Sequence, residues 1–170
     1  MVDSTNKEWL DRTIEEALEP GLPICDPHHH FWEFRHERAA HHYLLDDFLA
    51  DINAGHNIVS TVFIECAAMY KTDGPEEMRV VGEAEFVNGI SAMSASGLYG
   101  DARVAAGIVG HANLAQGSAI GAVLDALIAA GGGRFRGIRH IATWDPNDYF
   151  PAVRTKAGPQ LMLNPTFREG

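Results

Sequence analysis

The sequence is short of basic residues. Its 13 lysines and arginines face 23 aspartates and glutamates, which gives a formal net charge of −10 over 170 residues. Because the basic residues form no long cluster, neither nucleic acid nor an anionic membrane surface is an expected partner. No apolar run approaches the roughly 20 residues that span a bilayer, and the polar N-terminus does not resemble a signal peptide. These absences predict a soluble, acidic and cytoplasmic protein.

Two further features are scarce or missing. The chain has only two cysteines, Cys25 and Cys66, and both lie in or beside apolar runs. This usage indicates buried free thiols in a reducing compartment and not a disulfide framework. No Gly-x-Gly-x-x-Gly motif follows the first predicted strand, which excludes the dinucleotide-binding type of α/β fold.

What is present is an alternation of strand and helix patterns. Thr5 and Glu8 have capping-box spacing and begin a helical extension over 1–21, whose helix is stopped by Pro20-Gly21. The main domain, 22–170, is predicted to have strands at 22–26, 58–65, 104–110 and 135–141, helices at 43–54, 76–96 and 119–130, and mostly loop from 144 onward. The strand at 58–65 is near-continuously apolar, as in strands buried on both faces.

Alternation of this kind predicts βαβ units and a parallel sheet, for which two architectures compete. One is an open doubly wound sheet, and the other is a (β/α)8 TIM-type barrel of which this chain holds about the first four βα units. The polar residues that decide between them follow the predicted strands: Asp26, His28, His30, Glu65, His111, Arg139 and His140. Barrel enzymes place their active sites at this face, so the partial barrel is favoured.

The strongest candidate for chemistry is the run of histidines at 28–30, directly after the first strand. Alternate side chains of an extended segment point the same way, so His28 and His30 can face one cation while His29 points into packing. Neutral imidazoles are good ligands for zinc and similar ions. A catalytic zinc generally takes three protein ligands, so these two alone are an incomplete site.

Three other residues are candidate catalytic groups. Arg139 lies near the end of the fourth strand, where a guanidinium can hold a substrate carboxylate or stabilise an oxyanion. His140 follows it and points to the other side unless the strand ends there. Glu65 ends the second strand, where a carboxylate is costly unless it is paired or binds a metal. Cofactors other than a divalent metal are not predicted.

Several stretches of the sequence resemble a known family, the amidohydrolase superfamily, in its amidohydrolase-related branch that contains lactonases. The first is the His-x-His motif at 28–30. The others are TVFIEC at 61–66, AGIVGH at 106–111, GRFRGIRH at 133–140 and LMLNP at 161–165. The resemblance extends over nearly the whole chain after residue 21.

This resemblance implies a TIM barrel that hydrolyses a lactone or a similar ester or amide bond with a metal-activated water. Its metal ligands carry over onto His28 and His30, with zinc the first expectation and manganese, iron or cobalt open. Some members of the branch need no metal. A later histidine and a late aspartate, the general base, come from the second half of such a barrel and do not occur in this chain.

Two alternatives remain open. In the first, the chain is a half-barrel without catalytic activity. Its open sheet edges and apolar helix faces must be buried, so copies of the chain associate and homo-oligomers are expected. In the second, the protein is a decarboxylase that uses the same scaffold and the same histidine pair.

Overall fold

A computed structural model of the chain describes residues 12–13, 15–34, 41–147 and 157–170. The strands are β1 (Pro23–His29), β2 (Trp32–Phe34), β3 (His41–Tyr43), β4 (Asn57–Ile64), β5 (Arg103–His111) and β6 (Phe135–Arg139). The helices are α1 (Leu45–Ile52), α2 (Val81–Ala95), α3 (Gly121–Ala130) and α4 (Pro165–Glu169). Short 3-10 helices cover Glu76–Met78, Leu114–Ile120 and Leu161–Leu163.

The main sheet has four strands in the order β1-β4-β5-β6, and all of its pairings are parallel. Consecutive strands of this sheet are joined through α1, α2 and α3, as the alternating sequence pattern predicts. The mixed α/β class and the parallel sheet are therefore confirmed. All four carboxyl ends lie at one edge of the sheet, where His111 is paired with Arg139.

Strands β2 and β3 form a separate antiparallel ribbon that the sequence pattern did not predict. Trp32 pairs with Tyr43 in it. The following helix was predicted to begin at residue 43, but α1 begins at Leu45. The Asp47 carboxylate accepts a hydrogen bond of 3.0 Å from the Leu44 backbone N–H, which satisfies a donor just before the helix.

The main core lies between the sheet and helices α1 and α2. Phe31, Phe63 and Ile108 are fully buried within it. The Phe31 and Phe63 rings stack with their centroids 5.8 Å apart. A second apolar cluster, which includes Val123 and Leu127, packs α3 against the first turns of α2.

Burial along β4 differs from the prediction that this strand is covered on both faces. Thr61 and Phe63 are buried on the side of the helices, whereas Val62 and Ile64 are only half-buried. Helices α1, α2 and α3 contribute to the apolar clusters that cover the buried side, whereas the alternate side chains of β4 remain partly accessible to solvent. Continuous apolar sequence thus does not distinguish one covered face from two.

Both ends of the chain also differ from the sequence pattern. Most of the predicted N-terminal helix, residues 1–11 and 14, lies outside the described residues; residues 15–17 have no regular structure and Leu18 is 98% exposed. At the other end, a helix occupies a segment predicted as loop. The Asn164 side chain accepts a hydrogen bond from the Phe167 N–H and caps α4.

The cysteines are both free thiols, as predicted. Cys66 is buried, but Cys25 is exposed, so the prediction of two buried thiols is wrong for Cys25. Within the described ranges, no helix combines the length and apolar character required to cross a membrane.

Phe63→Ala is expected to lower the free energy of unfolding by about 3–5 kcal/mol, because it leaves a cavity between the sheet and the helices. Urea denaturation followed by circular dichroism measures the change. Ile128→Ala, at a position 56% exposed on α3, is the matched control and should change stability by less than about 1 kcal/mol. Equal losses in the two variants would contradict the assigned core.

Candidate functional site

The candidate site begins where β1 ends. The strand continues through His28 and His29, three residues beyond its predicted end, so the histidine run follows strand alternation. His29 is paired in register with Phe63 on the buried side. His28 and His30 therefore both point to the opposite side of the strand from His29.

The two imidazoles meet through their Nε2 atoms, which are 3.2 Å apart. The His30 Nδ1 lies 2.8 Å from the Ile64 carbonyl oxygen at the end of β4. A carbonyl oxygen only accepts, so His30 carries its proton on Nδ1 and presents an Nε2 lone pair. In this arrangement the His28 Nε2–H donates to that lone pair.

The His28 and His30 imidazoles fit part of a metal site. Two nitrogens bound to one tetrahedral zinc at about 2.0–2.1 Å are separated by about 3.3 Å, close to the observed spacing. The bond from His30 Nδ1 to a backbone carbonyl is the kind of contact that orients histidine ligands. Among the described residues, however, no group of three or more His, Cys, Asp or Glu side chains is placed to hold an ion. The pair therefore accounts for two ligands and leaves others to be supplied.

His29 serves packing. Its ring stacks on Phe48 of α1 with a centroid separation of 4.3 Å. The Thr61 hydroxyl accepts a hydrogen bond from the Ala105 N–H and lies 2.9 Å from the His29 Nε2, to which it can donate. Burial lowers the pKa of His29 to about 4, so this imidazole is neutral at neutral pH. The uncharged ring suits its place in the core.

Glu65 and Arg139, both predicted as catalytic, form one ion pair at the carboxyl edge of the sheet. The Arg139 Nε donates to the Glu65 Oε1 at 2.7 Å, and its Nη2 donates to the Glu65 backbone oxygen at 2.6 Å. The Glu65 side chain is almost completely buried, and that of Arg139 is one-third exposed. The carboxylate is thus compensated as a buried charge requires.

The ion pair lies within electrostatic range of the histidine pair. Burial lowers the pKa of His30, and the nearby Arg139 charge lowers it further while Glu65 opposes that change. A lowered pKa keeps the imidazole neutral at physiological pH, which is the state that binds metals. The structure therefore brings His28, His30, Glu65 and Arg139 together at one edge.

His140 is placed differently. Its Nδ1 accepts a hydrogen bond of 3.2 Å from the Leu114 N–H, and its ring lies 5.0 Å from that of Phe167 in α4. Burial and the neighbouring His111 lower the pKa of His140. β6 ends at Arg139, and the His140 ring lies beside those of His111 and Phe167, with the Glu65 charge close enough to oppose the lowering of its pKa.

The other arginines of the same strand region are structural. Arg134 donates to the Asn88 side chain at 2.7 Å. Arg136 donates to the backbone oxygens of Gly133 and Phe135. Neither contact involves the histidine pair.

Two open cavities adjoin the site. One, of about 390 Å³, lies between β1 and α1; its lining includes His29, His30, Trp32, Phe48 and Asp51 but not His28. The other, of about 540 Å³, includes His111, Tyr70 and Arg79 in its lining but neither histidine of the pair. The smaller cavity is the more relevant to chemistry because it reaches His30. Trp32 and Tyr70 thus line cavities, while Phe31 is fully buried in the core.

One acidic residue of the site region was missed by the sequence patterns. Glu83 of α2 is 2% exposed, and its Oε1 accepts hydrogen bonds from the backbone N–H groups of Cys66 and Ala68. A signal was present, because Glu83 lies three residues after Val80 and four before Val87 on an apolar stripe. A charge on such a stripe is expected to have a specific partner.

Comparisons of the chain with protein-family models, curated proteins and solved structures found no match. The resemblance to the amidohydrolase superfamily therefore stays a prediction from the sequence motifs.

Arg139→Met should lower the free energy of unfolding by about 2–3 kcal/mol, because it leaves the Glu65 carboxylate buried without its partner. Adding Glu65→Leu should recover at least about 1 kcal/mol, since the unpaired charge is then gone. Arg136→Met, which loses hydrogen bonds to the backbone oxygens of Gly133 and Phe135, is the control. Chemical denaturation measures all three, and a double variant less stable than Arg139→Met would contradict the ion-pair assignment.

Glu83→Gln is expected to change the pH dependence of stability. Burial raises the pKa of Glu83 from 4.5 to about 7, so the folded chain holds this proton more tightly than the unfolded chain. The resulting stabilisation is complete below pH 4.5 and is lost as the pH rises through 7. Glutamine does not titrate, so the stability of the variant relative to wild type should rise by up to about 3 kcal/mol across that window. Thermal or urea unfolding between pH 4 and 8 measures the difference, and a pH-independent difference would show that the carboxyl titrates normally.

Proposed function

We propose that the chain belongs to a metal-dependent hydrolase in which His28 and His30 are two of the metal ligands. The observation that carries the proposal is the 3.2 Å separation of their Nε2 atoms, with His30 fixed by the Ile64 carbonyl. The location supports it, since enzymes with parallel strands place their sites at the carboxyl ends.

A divalent ion held there would supply a water that ionises near neutral pH. Zinc suits an imidazole pair best, and manganese, iron and cobalt remain compatible with it. His28 and His30 would hold the ion through their Nε2 atoms, and the Ile64 carbonyl, by accepting from the His30 Nδ1, leaves the Nε2 lone pair of His30 available for it. Further ligands and the general base come from outside the described residues, as the family resemblance implies.

Arg139 is proposed to orient the substrate carbonyl. A guanidinium has five N–H groups, and Glu65 takes one from Nε and one from Nη2. The three others have no hydrogen-bond partner among the described residues, and the side chain is partly exposed at the carboxyl edge. Glu65 holds the guanidinium and neutralises part of its charge, which favours a polarised carbonyl over a carboxylate as the group bound. For Glu65, predicted as a catalytic residue, we therefore propose that it positions the Arg139 guanidinium.

The family resemblance implies the substrate class that we propose, a lactone or a similar ester or amide, on a TIM-type barrel to which this chain contributes about four βα units. His140 has a lesser place in this proposal, because its Nδ1 is occupied by the Leu114 N–H. The cavity that reaches His30 supplies an approach for a small molecule along β1.

Replacing both histidines should abolish metal binding without unfolding the protein. We expect the wild-type chain to bind about one zinc or cobalt ion, and His28→Ala with His30→Ala to weaken binding by at least about 100-fold. Isothermal titration and the visible spectrum of the cobalt form measure this. In a full-length enzyme that supplies the remaining ligands and the general base, the same double substitution should abolish lactone hydrolysis.

His42→Ala is the matched control, since His42 is an exposed histidine that pairs with Glu33 and lies outside the site. Its metal binding should equal that of the wild type. Unchanged metal content in the double variant, or an equal loss in His42→Ala, would overturn the ligand assignment.

A second candidate is a self-associating half-barrel without catalytic activity. It is favoured by the two outer strands, β1 and β6, each of which has one neighbour in the main sheet as described. Light scattering after gel filtration should then give about twice the 18.5 kDa of the chain, in the absence of bound metal. A metal-binding monomer would exclude this candidate.

A further inference from the structure

The loop that follows β4, residues 65–69, has an unusual backbone. Ala67 and Met69 both have positive φ angles, 62° and 54°, although neither is glycine. This left-handed conformation costs free energy for residues with a side chain, and it persists only where surrounding contacts enforce it. Something outside the loop must therefore hold it.

Glu83 supplies those contacts. Its Oε1 accepts hydrogen bonds from the N–H groups of Cys66, at 3.0 Å, and Ala68, at 2.8 Å, on either side of Ala67. Backbone N–H groups that converge around a left-handed residue form a concave anion site, and here a side chain of the same protein fills it. The packing is close: a Cβ at Gly82, next to Glu83, would lie 2.4 Å from the Met69 carbonyl oxygen.

The same stretch of backbone makes contacts with both halves of the candidate site. Its first residue, Glu65, binds Arg139 through both its side chain and its carbonyl oxygen. The Ile64 carbonyl just before it accepts from the His30 Nδ1. The Cys66 Sγ lies 3.2 Å from the Phe31 carbonyl, and burial raises the pKa of this thiol to about 12, so it remains a donor.

Placing a carboxyl group here is costly. Glu83 is 2% exposed, and its Oε2 has no hydrogen-bond partner among the described residues. An apolar side chain of similar size would pack in the same place without that cost. We therefore infer that the Glu83 carboxyl has a role other than stabilising α2.

We propose that Glu83 is a further positioning residue of the candidate site: by holding the loop 65–69 it places Glu65 against Arg139 and the Ile64 carbonyl against His30. The inference rests on the proposed function only in taking His30 and Arg139 as site residues. It requires no bound metal, so it is tested separately from the metal proposal.

The test uses the metal-free chain labelled with ¹⁵N. In the wild type, the Arg139 Nε–H is expected to give a protected NMR signal because it donates to a buried carboxylate. Glu83→Ala should accelerate its hydrogen exchange at least about tenfold, the factor that corresponds to losing a charge-assisted hydrogen bond. Glu83→Gln keeps an oxygen acceptor for both amides and should retain the wild-type signal.

Ser94→Ala is the matched control. Ser94 lies near the other end of α2, is 1% exposed, and likewise makes two hydrogen bonds to backbone, with Ala102 and Val104. The Ser94→Ala substitution should lower the stability of the fold without accelerating the hydrogen exchange of the Arg139 Nε–H. Equal changes in Glu83→Ala and Ser94→Ala would reduce Glu83 to a general structural role and overturn the proposal.

A measurement on the wild type applies even if Glu83→Ala does not fold. The amides of Cys66 and Ala68 should exchange at least about tenfold more slowly than exposed loop amides, because each donates to the buried carboxyl. Exchange of both at the rate of exposed loops would show that Glu83 does not hold the loop, and the proposal would fail.

Discussion

The hydrogen bond between the His30 Nδ1 and the Ile64 carbonyl is the contact on which the account of this protein depends. It joins the end of β1 to the end of β4, and it forms because parallel pairing brings the two carboxyl ends to the same edge. One proton position follows from it, and with that the direction of the His30 lone pair. Without this bond, the histidine run is only a polar segment after a strand.

The site extends from this contact through a few residues of backbone. Ile64 is followed by Glu65, which holds Arg139, and then by the loop that receives the Glu83 carboxyl. His30, which we propose as a metal ligand, the Arg139 guanidinium and the buried Glu83 carboxyl all contact this one turn of chain. A small change in that turn would alter the spacing of all three groups, and this is the reason we propose for the buried carboxyl that holds its backbone.

Much of the fold follows from sequence periodicity. The parallel sheet and the helices between its strands were predictable because apolar runs and helical spacing reflect burial directly. The ribbon at Trp32 and Tyr43 was not, since strands of three residues carry too little pattern. The site was predictable in part: His28 and His30 follow from alternation along a strand, and a buried Glu65 implies a partner. That the partner is Arg139, and that Glu83 reaches the loop, depends on contacts between residues 74 and 15–17 positions apart.

A crystal structure of the chain grown with zinc, with anomalous data collected at the zinc edge, would show directly where the ion binds. We expect a peak about 2.0–2.1 Å from the Nε2 atoms of both His28 and His30, with the His30 Nδ1 still bonded to the Ile64 carbonyl. A zinc peak elsewhere, or one bound to only one of these histidines, would contradict their assignment as a pair of ligands.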